Sequence, residues 1–458
     1  MWCAGEANEG RKPGVLRTSD LEYDLPESLI ATSPAEPRDS ARLLVVSRSD
    51  PSRLEHRVVR DLPALLAPGD LMVLNTTRVI PARLIGHRAD TGGRVEGLYL
   101  DEADAYLGHD KFEKSDRAHT SDLPTPIAGE RRWAVLLQGK RMKAGIDVAI
   151  ELDAPGNAGP GPDSGVRLHL LSPLGAEDRG GWIVSVRSAS SAFLDAESSA
   201  AILEHIGRTP LPPYILKARE REAASNNARD LGDAYDRARY QTVYATAPTR
   251  AHDGGADPQG LIASHTLGAS VAAPTAGLHM TPAVLDALAA RGVGRADVVL
   301  HVGSGTFRPV ETEFVEQHRM HTERCAMPGD TRAAIHRTRR SVGALGNTTA
   351  RAGRVICVGT TSARTVESFA RLAAADVASS HTTPTPDWLA TDILITPGYP
   401  WRWTDGLLTN FHLPRSTLLA MVASLFPGGV ERLMEIYGVA LRERYRFYSY
   451  GDAMLVLP

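Results

Sequence analysis

The chain has 458 residues, 43% apolar and 23% charged, with a net charge of −3, so two domains with ordinary soluble cores are expected rather than one. A charge this close to zero excludes a uniformly basic nucleic-acid coat and leaves only local patches. The longest apolar run, Thr417 to Phe426, is about half the ~18 residues of a membrane span, and three scattered cysteines, Cys3, Cys325 and Cys357, speak against a disulfide framework or a thiolate zinc site.

In chain order, residues 1–18 mix charge and proline without an apolar stretch and read as a disordered extension, not a signal peptide. Residues 70–200 carry short apolar runs: Leu71 to Leu74, Val95 to Leu100, Trp133 to Leu137, Val148 to Leu152, Val166 to Leu171 and Trp182 to Val186. Gly and Pro signals separate them, which predicts a small antiparallel β-barrel-like domain over 70–200. Polar or Gly/Pro/Ala-rich stretches (103–131, 153–165, 220–233, 246–263 and 374–386) read as surface excursions. A capped helix is predicted from Thr281 to Gly292: Thr281 suits the cap, Pro282 the first turn and Gly292 the residue past the end. Val298 to Val302, Val355 to Val358 and Ile393 to Ile395 are β-branched runs of the kind found in buried parallel strands. Strands alternating with helices predict an α/β domain with a mainly parallel sheet, discontinuous over 19–69 and 201–458.

Several segments carry candidate chemistry. His279 stands just before the Thr281 cap, where a histidine serves as acid, base or orienting group, or is simply buried and hydrogen-bonded. The strand through His301 runs into Gly303 and Gly305, which open space for a ligand but lack the third glycine of a dinucleotide fingerprint. Gly359 is followed by Thr360, Thr361, Ser362 and Arg364 at a helix start, an anion site suited to a carboxylate or a single phosphate, or else an ordinary capped helix. His318, His321 and Glu323, joined by His301 or His412, would make a metal cluster, yet the spacing matches no standard zinc signature and no metal is expected. Near the end, Arg442, Arg444 and Arg446 interleave with Tyr445, Phe447, Tyr448 and Tyr450. That pattern suits single-stranded RNA, and equally a half-buried strand with one aromatic face.

Taken together, the chain resembles the S-adenosylmethionine:tRNA ribosyltransferase-isomerase family of the queuosine pathway. The resemblance lies in Tyr23-Asp-Leu-Pro26, Glu36-Pro-Arg-Asp-Ser-Ala-Arg-Leu43, Gly69 through Leu84, Pro210-Leu-Pro-Pro-Tyr-Ile215 and Arg239-Tyr-Gln-Thr-Val-Tyr-Ala245. It continues in Pro274-Thr-Ala-Gly-Leu-His279, His301-Val-Gly-Ser-Gly-Thr-Phe307, Gly359-Thr-Thr-Ser362, Thr409-Asn-Phe-His-Leu-Pro414 and Tyr445 through Met454. Met280 departs from a common Phe, and the chain between Ala245 and Gly268 is longer than usual.

The resemblance implies an α/β domain joined to a small β-barrel. It also implies transfer of a ribosyl unit from S-adenosylmethionine to 7-aminomethyl-7-deazaguanine at the tRNA wobble position, giving epoxyqueuosine-tRNA, adenine and methionine. S-adenosylmethionine is then a consumed substrate, with no cofactor, no metal and no membrane partner; a cytoplasmic monomer is expected. This chemistry calls for groups that titrate near neutrality. His279 and His412 are the first proton-transfer candidates and His301 the next, with Asp405 or Glu323 as orienting carboxylates. Thr360, Thr361, Ser362 and Arg364 are expected to hold the methionine carboxylate, with Gly303, Gly305 and Arg308 also on the substrate. Arg78, Arg83, Arg442, Arg444, Tyr445 and Arg446 are expected to contact tRNA. Two rival readings are a metal-dependent hydrolase and a non-catalytic RNA-binding protein.

Overall fold

A computed structural model describes residues 15–50, 52–108, 123, 130–153, 161–175, 180–188, 198–224, 231–246, 269–302, 310–340, 353–379 and 387–458. Its strands, in chain order, begin with β1 (Arg42–Ser47), β2 (Leu54–Val58), β3 (Leu71–Asn75) and the short β4 (Arg78–Val79). Next come β5 (Arg83–Arg88), β6 (Arg94–Glu102), β7 (Arg131–Gln138), β8 (Asp147–Glu151), β9 (Asp163–Pro173) and β10 (Gly181–Ser188). They end with β11 (Ala269–Ser270), β12 (Gly294–Leu300), β13 (Glu323–Ala326), β14 (Val355–Val358), β15 (Trp388–Thr391), β16 (Gly406–Asn410) and β17 (Ala453–Leu457). The chain divides into two compact units, Met1–Asn75 with Thr275–Val299 and Gly305–Pro458, and Thr76–Pro274 with Leu300–Ser304.

The first unit holds a mixed sheet in the order β15-β13-β12-β3-β14-β16-β17-β1-β2. Its centre, β12-β3-β14-β16, is parallel throughout; antiparallel pairs join β13 to β15, β16 to β17 and β1 to β2. Every residue of β3, β14 and β16 is buried, as continuous apolar runs covered on both faces require. The helices Gly329–Arg340 and Thr360–Ser379 pack on β3 and β14. The predicted helix forms as Pro282–Ala290: Thr281 Oγ1 accepts from Val284 N at 3.3 Å, and Gly292 has φ +79°.

The second unit holds a closed six-stranded antiparallel barrel, β10-β7-β6-β5-β8-β9. Trp133, Val135, Val148, Leu168 and Val184 fill its interior. Five of the six apolar runs between 70 and 200 lie in barrel strands, but Leu71 to Leu74 is β3 of the large sheet. The barrel's β9 alternates buried and half-exposed positions, whereas β3 is buried at every position, as a run of four consecutive apolar residues demands.

Residues 201–274, expected with the α/β domain, group with the barrel instead. Ile202, Leu203 and Ile206 of the helix Ser199–Ile206 belong to the barrel's own core. At the other end, Leu16 and Thr18 were expected in a disordered extension, yet both are buried. Leu16 N donates to the Glu316 carboxylate at 3.1 Å and Thr18 Oγ1 to Thr312 O at 2.7 Å. The helix Thr360–Ser379 likewise takes in the first residues of the stretch read as a surface excursion at 374–386. Among the described residues no helix is long and apolar enough to cross a membrane.

Candidate active site

In open α/β sheets the carboxyl ends of parallel strands form the usual ligand crevice. In the first unit, three adjacent parallel strands end in polar or turning residues: β3 in Asn75, β14 in Val358 followed by Gly359, and β16 in Asn410. Gly359 has φ +88°, a conformation that side chains rarely adopt, and it turns β14 directly into the helix Thr360–Ser379. A Cβ at position 359 would sit 3.7 Å from Ala276 Cβ, so the 3-10 turn Thr275–His279 lies against that helix start.

Side-chain bonds link these ends. Thr275 Oγ1 donates to Asn410 Oδ1 at 3.0 Å, which leaves Asn410 Nδ2 to donate to His279 Nε2 at 3.2 Å. His279 therefore carries its proton on Nδ1. Asn75 Nδ2 donates to Thr361 Oγ1 at 3.2 Å. His412 Nε2 lies 2.7 Å from Thr409 Oγ1, and its backbone is held between the hydroxyls of Tyr437 and Tyr23.

Both histidines are poor proton carriers at neutral pH. Burial, aided by the positive charges of Arg446 and Arg38, pushes the His279 pKa down to about 3. Burial alone takes His412 to about 4. Their expected role as groups titrating near neutrality is therefore corrected: each is neutral and offers a hydrogen bond.

This burial also bears on stability. Between pH 6.5 and about 3 the unfolded chain binds a proton at His279 that the folded chain excludes, so stability falls as pH drops through that window. At pH 5 His279 alone should cost roughly 2 kcal/mol, at ~1.4 kcal/mol per pH unit below the free-histidine pKa. Denaturant melts of wild type and His279→Gln at pH 7.5 and 5 test this; equal pH dependence in the two proteins would reject it.

The other expected site residues fall elsewhere. Arg364 and Glu323 form a buried ion pair, so the guanidinium is not a free cation for a donor carboxylate. Arg364 Nε and Nη2 are buried without a hydrogen-bond partner among the described residues. The Ser362 hydroxyl turns back to Val358 O at 2.8 Å. Asp405 precedes β16, about 16 Å along the strand from Asn410 at ~3.3 Å per residue. There it accepts from Val355 N at 2.9 Å and Arg339 Nη1 at 3.1 Å, a structural tie that rules out orienting His279 or His412.

His301 follows β12 and belongs to the second unit. Gly303, Gly305 and Arg308 lie outside the described residues. Among the described residues, no group of three or more His, Cys, Asp or Glu side chains is placed to hold a metal ion.

Of the expected tRNA contacts, Tyr445 is corrected. It is fully buried in an aromatic cluster with Phe411, its hydroxyl 2.7 Å from His56 Nδ1 and its ring under Arg42. The interleaved aromatics are core, because Phe447, Tyr448 and Tyr450 are buried as well. Arg446 pairs with Asp452 and donates to Ser33 O at 3.3 Å, while its charge reaches His279. Arg442 and Arg444 are exposed. In the second unit, Arg78 is exposed and faces Glu204 at 3.6 Å, and Arg83 pairs with Glu96 at 3.0 Å.

Thr275, Asn75 and Asn410 give no sign in the sequence, because neutral amides and hydroxyls carry no titration signal, and the charge of Arg38 reaches His279 only through the fold. One signal was available: both β3 and β16 are apolar runs that end in Asn.

A sequence model of the queuosine biosynthesis protein family matches residues 18–456. The chain is 41% identical to an S-adenosylmethionine:tRNA ribosyltransferase-isomerase of Gloeobacter violaceus, over 96% of each chain. It is 40% identical to one of Rubrobacter xylanophilus, over 96% of this chain and 98% of that one. The crystal structure of an S-adenosylmethionine tRNA ribosyltransferase from Thermotoga maritima is 27% identical, covers 96% of this chain and all of its own, and superimposes with a TM-score of 0.42.

Proposed function

This chain belongs to the queuosine biosynthesis protein family, and from that premise we propose that it is an S-adenosylmethionine:tRNA ribosyltransferase-isomerase acting on 7-aminomethyl-7-deazaguanine at the tRNA wobble position. The products are epoxyqueuosine-tRNA, adenine and methionine. The single observation that carries the reading is kinship with enzymes of that name along nearly the whole chain. S-adenosylmethionine is consumed, no resident cofactor or metal takes part, and the enzyme works as a cytoplasmic monomer.

The reaction needs a neutral aminomethyl nucleophile, removal of a proton beside the sulfonium and departure of adenine. A neutral His279 with its proton on Nδ1 is suited to donate a hydrogen bond to the leaving base or to a ribosyl oxygen as charge develops. The first turn of the helix Thr360–Ser379 offers backbone N–H groups and the Thr360 hydroxyl to the methionine carboxylate. Asn75 holds Thr361 in place beside it. Exposed Arg442, Arg444 and Arg78 are available to tRNA phosphates.

The deciding experiment supplies purified protein with S-adenosylmethionine and tRNA bearing the deazaguanine. Adenine should appear only when both are present, in step with ribosylated tRNA. Adenine release without tRNA, or none with both, would defeat the reading.

A further inference from the structure

A second polar surface of the first unit lies at the amino ends of the parallel strands, opposite the ends that carry Asn75 and Asn410. It is built from the loop 399–404, which leads into β16, and from the helix Gly329–Arg340. The loop is held by one buried carboxylate. Glu367 is fully buried and accepts from Arg402 N at 3.0 Å, Trp403 N at 3.0 Å, Thr404 N at 2.9 Å and Tyr399 Oη at 3.2 Å. Burying a carboxylate is unfavourable unless donors fill its lone pairs, so this arrangement fixes the loop in one shape.

The loop displays aromatic rings. Tyr399, Trp401 and Trp403 are each only half-buried. Tyr399 meets Trp401 edge-on at 5.6 Å, and Trp403 meets His336 edge-on at 5.0 Å. Trp401 Nε1 is anchored to Ser424 Oγ at 3.1 Å, and Arg339 Nη1 donates to Trp403 O at 3.2 Å.

Around these rings Arg340, Arg371 and Arg402 are exposed, with no ion-pair partner among the described residues. Arginines close by are handled differently: Arg332 pairs with Asp387 and Arg432 with Glu435. The positive field is felt locally, since Arg340, Arg339 and Arg332 add to burial in lowering the His336 pKa. A rigid loop that presents aromatic faces around Arg402, flanked by the unneutralised guanidinium groups of Arg340 and Arg371, matches what RNA requires: arginine for phosphate and rings for bases.

We infer that the loop 399–404, the helix Gly329–Arg340 and Arg371 of the helix Thr360–Ser379 form a tRNA-binding surface separate from the transfer site, with Arg340, Arg371 and Arg402 on the phosphates. The inference rests on the function proposed above, which makes tRNA the partner.

The test measures binding of an unmodified tRNA transcript to the full-length protein across a salt series. With Arg340→Ala and Arg402→Ala combined, the slope of log affinity against log salt should become shallower by about 1.4–1.8 for two lost phosphate contacts. Affinity at low salt should fall on the order of tenfold. Arg57→Ala removes an exposed arginine of β2 that is already paired with Glu55, and should change neither quantity. An unchanged slope in the double variant overturns the surface, while adenine release by wild type with modified tRNA leaves the proposed function standing. Wild-type protein that binds the transcript but never releases adenine instead removes the proposed function.

Discussion

Replacing His279 by alanine should lower single-turnover product formation by roughly 10²-fold or more, the usual contribution of a positioned acid–base or hydrogen-bonding group. The expectation rests on placement: His279 is 4% exposed, sits at the carboxyl ends of the parallel strands, and has its Nε2 occupied by Asn410. Asn410→Asp is the more discriminating variant. A carboxylate at that position would accept from Nε2–H, move the proton off Nδ1 and raise the imidazole pKa. If His279 acts as a neutral donor through Nδ1, Asn410→Asp should lose activity on the order of 10²-fold at pH 7.5 while the protein stays folded. Nitrogen NMR of the labelled imidazole would report the tautomer directly. His279→Ala retaining more than a third of wild-type turnover would remove the residue from the mechanism.

The largest stability effect is expected at Glu323. Removing it as Glu323→Ala leaves Arg364 charged, 3% exposed and without its counterion, and should destabilise the first unit by about 3–5 kcal/mol. Two of the guanidinium nitrogens already lack hydrogen-bond partners among the described residues. A double change, Glu323→Leu with Arg364→Met, removes both charges and should recover most of the loss. Denaturant midpoints of the single and double variants decide between the outcomes. A single variant within about 1 kcal/mol of wild type would mean that Arg364 is neutralised elsewhere. Affinity of the double variant for S-adenosylmethionine is a second, independent readout: if it stays near wild type, the pair is purely structural.

The two histidines show why sequence chemistry could single out a segment and still miss the protonation state of its imidazole. A histidine beside a capped helix invites a role in proton transfer. Its pKa, however, depends on desolvation and on charges far along the chain, Arg38 and Arg446, which no local pattern reveals. The tail from Arg442 to Tyr450 illustrates the same limit. Alternating arginine and aromatic residues fit an RNA surface and a buried knot equally, and only packing against Tyr23, Phe411 and Tyr437 turned the rings inward.

The sequence alone determined what depends on local periodicity and local backbone chemistry: the barrel strands, the fully apolar β14, the Thr281-capped helix and the Gly359 turn into a helix. Its ordered motifs also pointed to the family. Tertiary structure decided what depends on partners distant in the chain. It placed β3 in the large sheet, joined residues 201–274 to the barrel, paired Arg364 with Glu323, and put Asp405 and Asn410 at opposite ends of one strand. The physical reason is that burial and electrostatic pairing are set by neighbours in space, and sequence spacing fixes those neighbours only within a single helix or strand.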